Sequence, residues 1–414
     1  MMASIKNKIG QLQWKFLLLL SGGYMGSFLS IQGIQALMPF LRREFGITRT
    51  QAGLYSTFLF TTATIIALFS GSIVDRIGSR TSLLFGVYSM GILMLAHGIM
   101  PVYGLILMLA LLTGLGFSII TPAVNKAVMM KVKPSRRAVS MGIMHSGSGV
   151  GGFVGATLLP VLAGFIGWRF SIMISGAVGV GLGLIISRTL SLENGAEDDD
   201  ENGEDKSFKK QFLSIVKNKK LMLACSVGLS FGLAVGAIPA HYTLYLTLDL
   251  NYPEALAGLA LGVVQIGGVF GRIFWGWVSD VPLRGDRKNG FLIIMIVIVI
   301  LKLINAFGGE LLAGNLWFLL IISFLLGLAA LGWSGLFFTV VSERATPSQT
   351  GIASGMSLIF LRLGVVIGPP IFGLLGDHFD HYHYSWLLLA GLVLTAGLGY
   401  YILETRLENY TAGR

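Results

Sequence analysis

Three basic side chains that lie within long apolar stretches of the sequence, where charge is rare, are candidates for binding a solute. Arg362 is near the middle of its stretch and is followed by Gly364, Gly368 and the pair Pro369–Pro370. An ionisable residue in hydrocarbon is costly and predicts a functional site by default. A guanidinium presents two parallel donors to a carboxylate, and glycines and prolines loosen a helix beside a binding site. We therefore expect Arg362 to contact an anionic solute, with a bond to backbone carbonyls as the alternative.

Two further basic candidates, Arg272 and Lys126, lie nearer the ends of their stretches. Arg272 could instead serve the loop below it, and Lys126, beside Asn125, could extend its amine to the membrane surface. The acidic residues lie towards the ends of the stretches rather than at their centres. The solute is then the simplest source of counter-charge for a buried cation. We predict a substrate-binding set that includes Arg362, Arg272, Lys126 and Asn125.

Histidines suggest other chemistry. His145 and His241 lie in apolar stretches and could carry a coupling proton, because histidine titrates near neutral pH, or could be structural hydrogen-bonding groups. The run from Asp377 to His383 concentrates metal-ligating side chains, but without a second cluster a solvated loop is favoured and no metal is predicted. The sequence has no H-E-x-x-H motif, cysteine–histidine pair or intramembrane aspartate dyad. We predict neither an enzyme nor a cofactor.

Apolar segments long enough to cross a bilayer must position these residues. Hydrophobic residues make up 54% of the 414-residue chain and charged residues 12%, against about 25% charged residues in soluble domains. A spanning helix needs about 20 apolar residues. We predict an all-α integral membrane protein with twelve transmembrane helices near residues 16–40, 50–72, 82–99, 103–130, 138–164, 169–187, 221–246, 254–279, 290–308, 315–341, 350–375 and 384–403.

Basic residues mark the predicted cytoplasmic side. Most of the 30 lysines and arginines fall at the two termini and in alternate loops, whereas the other side holds only Arg42, Arg43, Arg49 and Arg169. Cytoplasmic loops keep the positive charge. We predict a multi-pass protein of the cytoplasmic membrane with both termini inside. The net charge of +10 then reflects topology and attraction to the lipid surface, and no nucleic-acid partner is expected.

A charged segment at residues 188–220 divides the chain. It contains an acidic run at 197–201 and a piece at 207–216 with apolar side chains on one face and lysines on the other. Such patterns are typical of a solvated linker and of a helix lying on a membrane. We predict a cytoplasmic linker between six-helix bundles at 1–187 and 221–414.

The two halves repeat one another. Gly71 to Arg80 follows the second predicted span as Gly276 to Asp280 follows the eighth, and Pro134-Ser135 recurs as Pro347-Ser348. Corresponding signatures at nearly one spacing indicate an internal duplication. A glycine four residues before an aspartate would let helices approach closely, and Asp75 could face the positive end of a neighbouring helix.

The pattern Gly71-x-x-x-Asp75-Arg76-x-Gly78-x-Arg80 resembles the signature loop of the major facilitator superfamily, in the place where that family carries it. Gly276 and Asp280 form a weaker copy, and Gly167-Trp168-Arg169 also fits. The resemblance covers nearly the whole chain. It implies two pseudo-symmetric six-helix bundles that rock around a midplane site, with gating residues Gly71, Asp75, Arg76, Gly78, Arg80, Gly276 and Asp280.

The resemblance also implies that the first, fourth, seventh and tenth spans line a central cavity. This adds Tyr24, Phe28, Gln32, Trp333 and Phe337 to the predicted substrate-binding set, together with His145 and His241, although aromatic residues at helical spacing commonly pack in a core. The ninth span is peripheral in the family. Its Lys302 is therefore left out of the predicted site.

Arg272-x-x-x-Gly276-x-x-x-Asp280 resembles the monocarboxylate-carrier and oxalate/formate-exchanger branch, although their charged first-helix signature is absent. We expect a monomeric secondary active transporter for a small organic anion, a mono- or dicarboxylate, with a proton as one option for the coupling ion. The alternative is a multidrug/proton antiporter. Its family arginine in span four and proline in span five are missing here, but Gly368–Pro369 in span eleven fits it.

Overall fold

The computed structural model describes residues 2–133, 136–190, 218–344 and 350–412. These residues form fourteen helices and no strand. In chain order the helices are α1 (Met2–Ala36), α2 (Met38–Phe45), α3 (Arg49–Ile77), α4 (Ser79–His97), α5 (Tyr103–Lys131), α6 (Arg137–Thr189), α7 (Lys219–Leu248), α8 (Glu254–Asp280), α9 (Arg287–Phe307), α10 (Gly309–Gly314), α11 (Leu316–Ala330), α12 (Ser334–Glu343), α13 (Thr350–Phe379) and α14 (His383–Ala412).

Ten helical segments of the described residues are long and apolar enough to cross a membrane. One of them, Ser140–Thr189, contains both the fifth and the sixth predicted spans. The two spans meet within α6 at Gly167, whose φ of 81° is not helical. The tenth predicted span is divided between α11 and α12. The all-helical membrane class is confirmed, with about ten to twelve spanning helices, as expected where lipid offers the backbone no hydrogen bonds.

The first compact unit contains residues 2–47, 58–190 and Glu254–Gly262. Its most extensive helix interface joins α1 to α6. A Cβ added at Gly147, Gly151 or Gly155 of α6 would stand 2.1–2.4 Å from carbonyl oxygens of α1. Small residues allow two helix backbones to approach each other this closely. In lipid, helices associate through such packing and not through the hydrophobic effect.

The second compact unit contains Thr48–Thr57 and residues 218–253 and 263–412. Its most extensive interface joins α7 to α13, again through glycines. A Cβ at Gly232, Gly236, Gly364 or Gly368 would stand 2.1–2.5 Å from a carbonyl oxygen of the facing helix. Spans one and five in one unit and spans seven and eleven in the other therefore use the same packing device, as an internal duplication predicts.

The compact units depart from the order of the chain at two places. The first turns of α3 belong to the second unit, and the first turns of α8 belong to the first unit. There a Cβ at Gly258 would lie 2.4 Å from the Ala156 oxygen of α6. The division into 1–187 and 221–414 remains a prediction. The acidic run and the membrane-surface piece predicted within 188–220 lie outside the described residues.

Candidate functional site

Five side chains of the first unit form what we call the aromatic cluster: Tyr24 and Phe28 of α1, Phe60 of α3, Phe117 of α5 and His145 of α6. The Tyr24 ring lies 5.3 Å from Phe28 and 5.2 Å from His145, centre to centre. Phe117 lies 5.6 Å from Phe28 and 6.0 Å from Phe60, edge to face in both cases. Tyr24 is buried, and the other four remain partly exposed. Rings at these separations stabilise each other and leave ring surface for a planar guest.

A few polar groups follow members of the aromatic cluster along α1 and α5. The Tyr24 hydroxyl shares a 3.1 Å hydrogen bond with Thr121 of α5. Gln32 lies one turn beyond Phe28, and Asn125 one turn beyond Thr121. Their side-chain oxygens are buried without a hydrogen-bond partner among the described groups. Such acceptors are positions for water or for a ligand donor, and an apolar surface with a few polar groups is the usual composition of a small-molecule site.

The predicted substrate-binding set included Tyr24, Phe28, Gln32, Asn125 and His145, but not Phe60 and Phe117 of the aromatic cluster. Phe117 precedes Thr121 by one helical turn in the fourth span, so helical spacing carried a usable signal. The sequence carries no such signal for Phe60, because it is one of many apolar residues in its span.

The predicted gating loop lies at the end of α3. Lys126 Nζ donates to Asp75 Oδ1 at 2.6 Å, joining α3 to α5. Arg80 donates to the carbonyls of Leu190 at 2.8 Å and Ser187 at 2.6 Å, so it binds the last orphan acceptors of α6. Gly78 adopts φ of 83° before α4, a conformation that favours glycine. Arg76 is exposed at the same end of α3.

Two details of this loop differ from expectation. Lys126, predicted as a substrate ligand, is the partner of Asp75 in this structure. The close helix approach predicted at Gly71 is wrong here, since a Cβ at Gly71 or Gly276 would meet none of the described atoms within 4 Å. The spacing of residues in a motif shows which of them share a face of a helix, but not which neighbouring helix packs against that face.

The second unit carries a related charged group. Arg287 of α9 pairs with Asp280 at the end of α8, and its Nη2 donates to Glu343 of α12 at 3.0 Å. Arg287 Nη1 also donates to Ser279 Oγ at 2.8 Å. Sequence analysis gave Asp280 a gating role but not Arg287 or Glu343, because the three are separated by a loop and two helices.

We expect Asp75→Asn to shift the balance of conformations only modestly. The pair with Lys126 is partly exposed, with 56% of the Asp75 side chain accessible, and such pairs contribute about 0.2–1 kcal/mol, or ~fivefold at most. The chain has one cysteine, Cys225, so Cys225→Ser gives a background for cysteine accessibility along α5. The exchanged pair Asp75→Lys with Lys126→Asp should restore the wild-type pattern. Unchanged accessibility in Asp75→Asn would contradict a gating role.

Two predicted ligands of the tenth span lie in the packed core of the second unit. Trp333 stacks on Phe231 at 4.4 Å and donates its indole N–H to the Ala330 carbonyl. Phe337 lies 5.0 Å from Trp333 and is completely buried. The structure therefore places both side chains in packing contacts. Helical spacing cannot distinguish a cavity face from a core face when both are apolar.

The remaining predicted ligands lie in three different settings. Arg362 is half-buried in α13, twelve residues after its start at Thr350. Arg272 is exposed in the second half of α8. His241 is completely buried in α7, with Nε2 2.8 Å from the Pro369 carbonyl and Nδ1 3.1 Å from the Tyr382 hydroxyl. A neutral imidazole satisfies both contacts by donating through Nε2 and accepting at Nδ1.

An unpredicted network holds the first turn of α3 against the end of α13, and we call it the outer latch: Arg49, Thr50, Asp249, Asp377 and Asp380. The Asp377 carboxylate accepts the backbone N–H groups of Arg49 at 2.7 Å and Thr50 at 2.8 Å, and the Thr50 hydroxyl at 2.6 Å. A carboxylate on the free N–H groups of a helix start is favoured by the helix dipole. Asp377 thus caps α3 from a helix more than 300 residues away.

The Arg49 guanidinium completes the outer latch. Its Nη1 donates to Asp380 Oδ1 at 2.9 Å, its Nη2 donates to the Asp380 carbonyl at 2.6 Å, and Asp249 lies 3.9 Å away. Only 7% of the Arg49 side chain is exposed. Burial raises the pKa of Asp249, although the Tyr382 N–H and the Arg49 charge act in the opposite direction. The segment around Asp377, predicted as a solvated loop, is thus partly a structural contact.

A second charged contact joins elements of the first unit. Arg169 of α6 donates to Glu44 of α2 at 2.6 Å and to the carbonyls of Gly98 and Met100 after α4. Burial raises the pKa of Glu44, but hydrogen bonds from Trp168 and Arg169 outweigh it and lower that pKa overall. Trp168 and Arg169 therefore have a structural role that the resemblance did not specify.

Sequence comparison finds relatives over nearly the whole chain. The model of the Major Facilitator Superfamily matches residues 20–308 and 244–412. The Quinolone resistance protein NorA of Staphylococcus aureus (strain MSSA476) is 23% identical over 396 residues, covering 90% of this chain and 94% of that protein. The Agnestins efflux protein AgnL12 of Paecilomyces divaricatus is 27% identical over 348 residues, covering 83% and 75%. One relative is named as a quinolone resistance protein and the other as an efflux protein, so the predicted monocarboxylate-carrier branch is not supported.

Solved structures share the fold. The nucleoside transporter NupG has a TM-score of 0.76 at 14% identity, over 93% of this chain and 98% of that one. A bacterial homologue of the human lysosomal transporter Spinster, in an inward-facing and unoccupied conformation, has a TM-score of 0.75 at 17% identity, over 94% and 96%. Both likenesses concern the backbone.

Proposed function

Since the chain belongs to the Major Facilitator Superfamily and is a secondary transporter of a small solute, we propose that it exports amphipathic aromatic compounds in exchange for protons. The aromatic cluster carries this proposal. Its four partly exposed rings offer apolar contact without a fixed hydrogen-bonding pattern, which suits varied planar solutes. The relatives named as a quinolone resistance protein and as an agnestins efflux protein support export of such compounds. The main sequence prediction, a small mono- or dicarboxylate, needs a site dominated by cations instead.

The polar groups beside the aromatic cluster limit what such a solute can carry. Gln32 and Asn125 supply acceptors, and the Tyr24–Thr121 pair supplies hydroxyls. Donor groups on an aromatic compound, such as amines or amides, would satisfy those acceptors. The cluster therefore favours neutral or cationic aromatic amphiphiles.

A second candidate function retains the organic anion. Arg362 supports it, because an arginine half-buried in the middle of a spanning helix favours a carboxylate as ligand. An aromatic compound that also carries a carboxylate would satisfy both proposals. Matched solutes that differ only in charge therefore separate the two candidates.

We expect Phe117→Ala to weaken binding of a fluorescent aromatic dye to the purified protein. Phe117 touches two other rings of the cluster, so its loss removes apolar contact with the dye and loosens its neighbours. The loss should be about 1–3 kcal/mol, or ~5- to 150-fold in affinity. Dye fluorescence measures the affinity, and efflux from proteoliposomes measures the transport rate.

Phe165→Ala is the matched control for Phe117→Ala. Phe165 belongs to the same unit but is 83% exposed and outside the aromatic cluster. Its truncation should leave dye affinity unchanged. Equal losses in the two variants, or no dye binding by the wild-type protein, would refute the proposed function.

A further inference from the structure

Lys302 of α9, in the second unit, has a completely buried side chain. Its Nζ is 5.7 Å from the centre of the Trp386 ring of α14, and it has no hydrogen-bond partner among the described residues. Asn305 Oδ1, one turn along α9, and Trp386 Nε1 are also buried without partners there. Buried polar atoms normally find partners, so an amine nitrogen and two further unsatisfied atoms on Lys302, Asn305 and Trp386 require an explanation.

Among the described residues, the side chains packed around Trp386 bring hydroxyls near Lys302, and no ion pair with Lys302 is formed. From α7, Tyr242 shares a hydrogen bond with Ser323 of α11, and Tyr245 donates to the Asn305 carbonyl. Asp249, at the end of α7, acts electrostatically on Tyr245, but no described carboxylate forms an ion pair with Lys302. A lone ammonium costs several kcal/mol in such an interior, and an unpaired neutral amine only about 1–3 kcal/mol.

The Trp386 ring also stabilises the protonated amine of Lys302. A cation over the face of a tryptophan gains up to about 2 kcal/mol when desolvated. The neutral and the protonated amine are then close enough in free energy for one to replace the other. A buried lysine of this kind is suited to gain and lose a proton.

Packing connects Lys302 to the outer latch. The Trp386 ring lies 5.1 Å from Phe372, and Phe372 stacks on Tyr382 at 5.4 Å. The Arg49 guanidinium lies 5.4 Å from the centre of the Tyr382 ring. One continuous group of aromatic side chains therefore touches Lys302 and the latch arginine, and a change of charge at the amine can bias the latch.

Several other titratable groups of the described spans already have partners. Asp75 pairs with Lys126, Asp280 pairs with Arg287, and Glu404 pairs with Arg344. His241 has partners at both ring nitrogens. A proton on one of these carboxylates would weaken its ion pair, whereas the Lys302 nitrogen has no such partner to lose among the described residues.

We propose that the Lys302 amine binds the coupling proton of this transporter. The inference rests on the proposed exchange of solute for protons. The nitrogen lone pair accepts a proton from hydronium on the side predicted to be external. An O–H bond of the hydronium breaks and leaves water, an N–H bond forms, and the ammonium lies over the Trp386 ring. Release to the cytoplasmic side breaks that N–H bond, returns the proton to water as hydronium and restores the neutral amine.

Tryptophan fluorescence of the purified protein tests proton binding without any solute. The signal of Trp386 is isolated as the difference between the wild-type protein and Trp386→Phe. We expect its emission to fall in one transition as the pH is lowered, because an ammonium forms over the ring. Lys302→Met should abolish the transition. Lys288→Met is the control, since Lys288 is on the same helix and also lies over a ring, Tyr401, but has Thr405 as a partner.

Transport in proteoliposomes tests coupling. Lys302→Met should lose dye accumulation driven by a pH gradient and keep dye counterflow, which needs no net proton movement. Lys288→Met should keep both. A Trp386 transition that persists in Lys302→Met, gradient-driven accumulation that survives in it, or loss of both modes together with a lower melting temperature would overturn the proposal.

The same measurements separate this inference from the proposed function. If a pH gradient drives dye accumulation equally in the wild-type protein and in Lys302→Met, the proposed exchange stands and the proton site at Lys302 is refuted. If the wild-type protein moves no dye, the exporter fails. The fluorescence transition then decides by itself whether Lys302 binds a proton.

Discussion

Arg49→Ala is expected to open the outer latch. The substitution removes the bonds to Asp380, leaves Asp249 partly buried without its cation, and removes the guanidinium from the Tyr382 ring. Breaking a buried charged contact costs about 2–5 kcal/mol. Because 95% of the Asp380 side chain is exposed, the lower end applies, which shifts the population of the closed latch by ~30-fold.

Paired spin labels measure this shift. In the Cys225→Ser background, cysteines replacing the exposed Gln51 of α3 and His378 of α13 report the distance between the two ends of the latch. We expect a short distance in the wild-type protein and a longer one in Arg49→Ala. The wild-type distribution in Arg49→Ala would contradict the role assigned to the latch.

Arg43→Ala provides the control. Arg43 pairs with Glu254, but 71% of its side chain is exposed, and such pairs contribute about 0.2–1 kcal/mol. Its removal should leave the spin-label distance unchanged. A shift as large as that in Arg49→Ala would mean that the label pair reports general loosening instead.

Arg362→Ala is expected to change the selectivity of the transporter for solute charge. A guanidinium binds a carboxylate at two points, and truncating such a desolvated contact costs about 2–5 kcal/mol, or ~30-fold to several thousand-fold in affinity. An aromatic carboxylate should lose this much affinity, whereas its uncharged amide should bind as before. Arg362→Lys should recover little, since an ammonium lacks the planar fork.

Calorimetric titration of the carboxylate and the amide against the wild-type protein and both variants measures these affinities. Arg272→Ala is the comparison variant, since Arg272 is the other arginine within a span of the second unit. Loss of carboxylate binding in Arg272→Ala alone would transfer the assignment to Arg272. Equal losses for the two solutes in Arg362→Ala would instead indicate a structural role.

Several site residues were predictable because helical spacing and family position are local properties. Tyr24, Phe28 and His145 lie in the aromatic cluster, and Asp75 makes a charged contact at the predicted loop. Lys126, predicted as a substrate ligand, pairs with Asp75 in this structure. Trp333 and Phe337 are buried in a core. Their helical spacing did not distinguish this core face from a cavity face, because both faces are apolar.

The sequence by itself determined the membrane class, the helical architecture and the family. Those properties follow from composition and from short motifs, because lipid forces every backbone polar group into a local helical bond. Only the tertiary structure decided which polar groups meet. Asp377 caps a helix that begins at Arg49, and Lys302 finds an indole but no carboxylate within the described part of the chain. Such partners come from helices far apart in the chain, and their meeting depends on how glycine-rich faces let the helices approach.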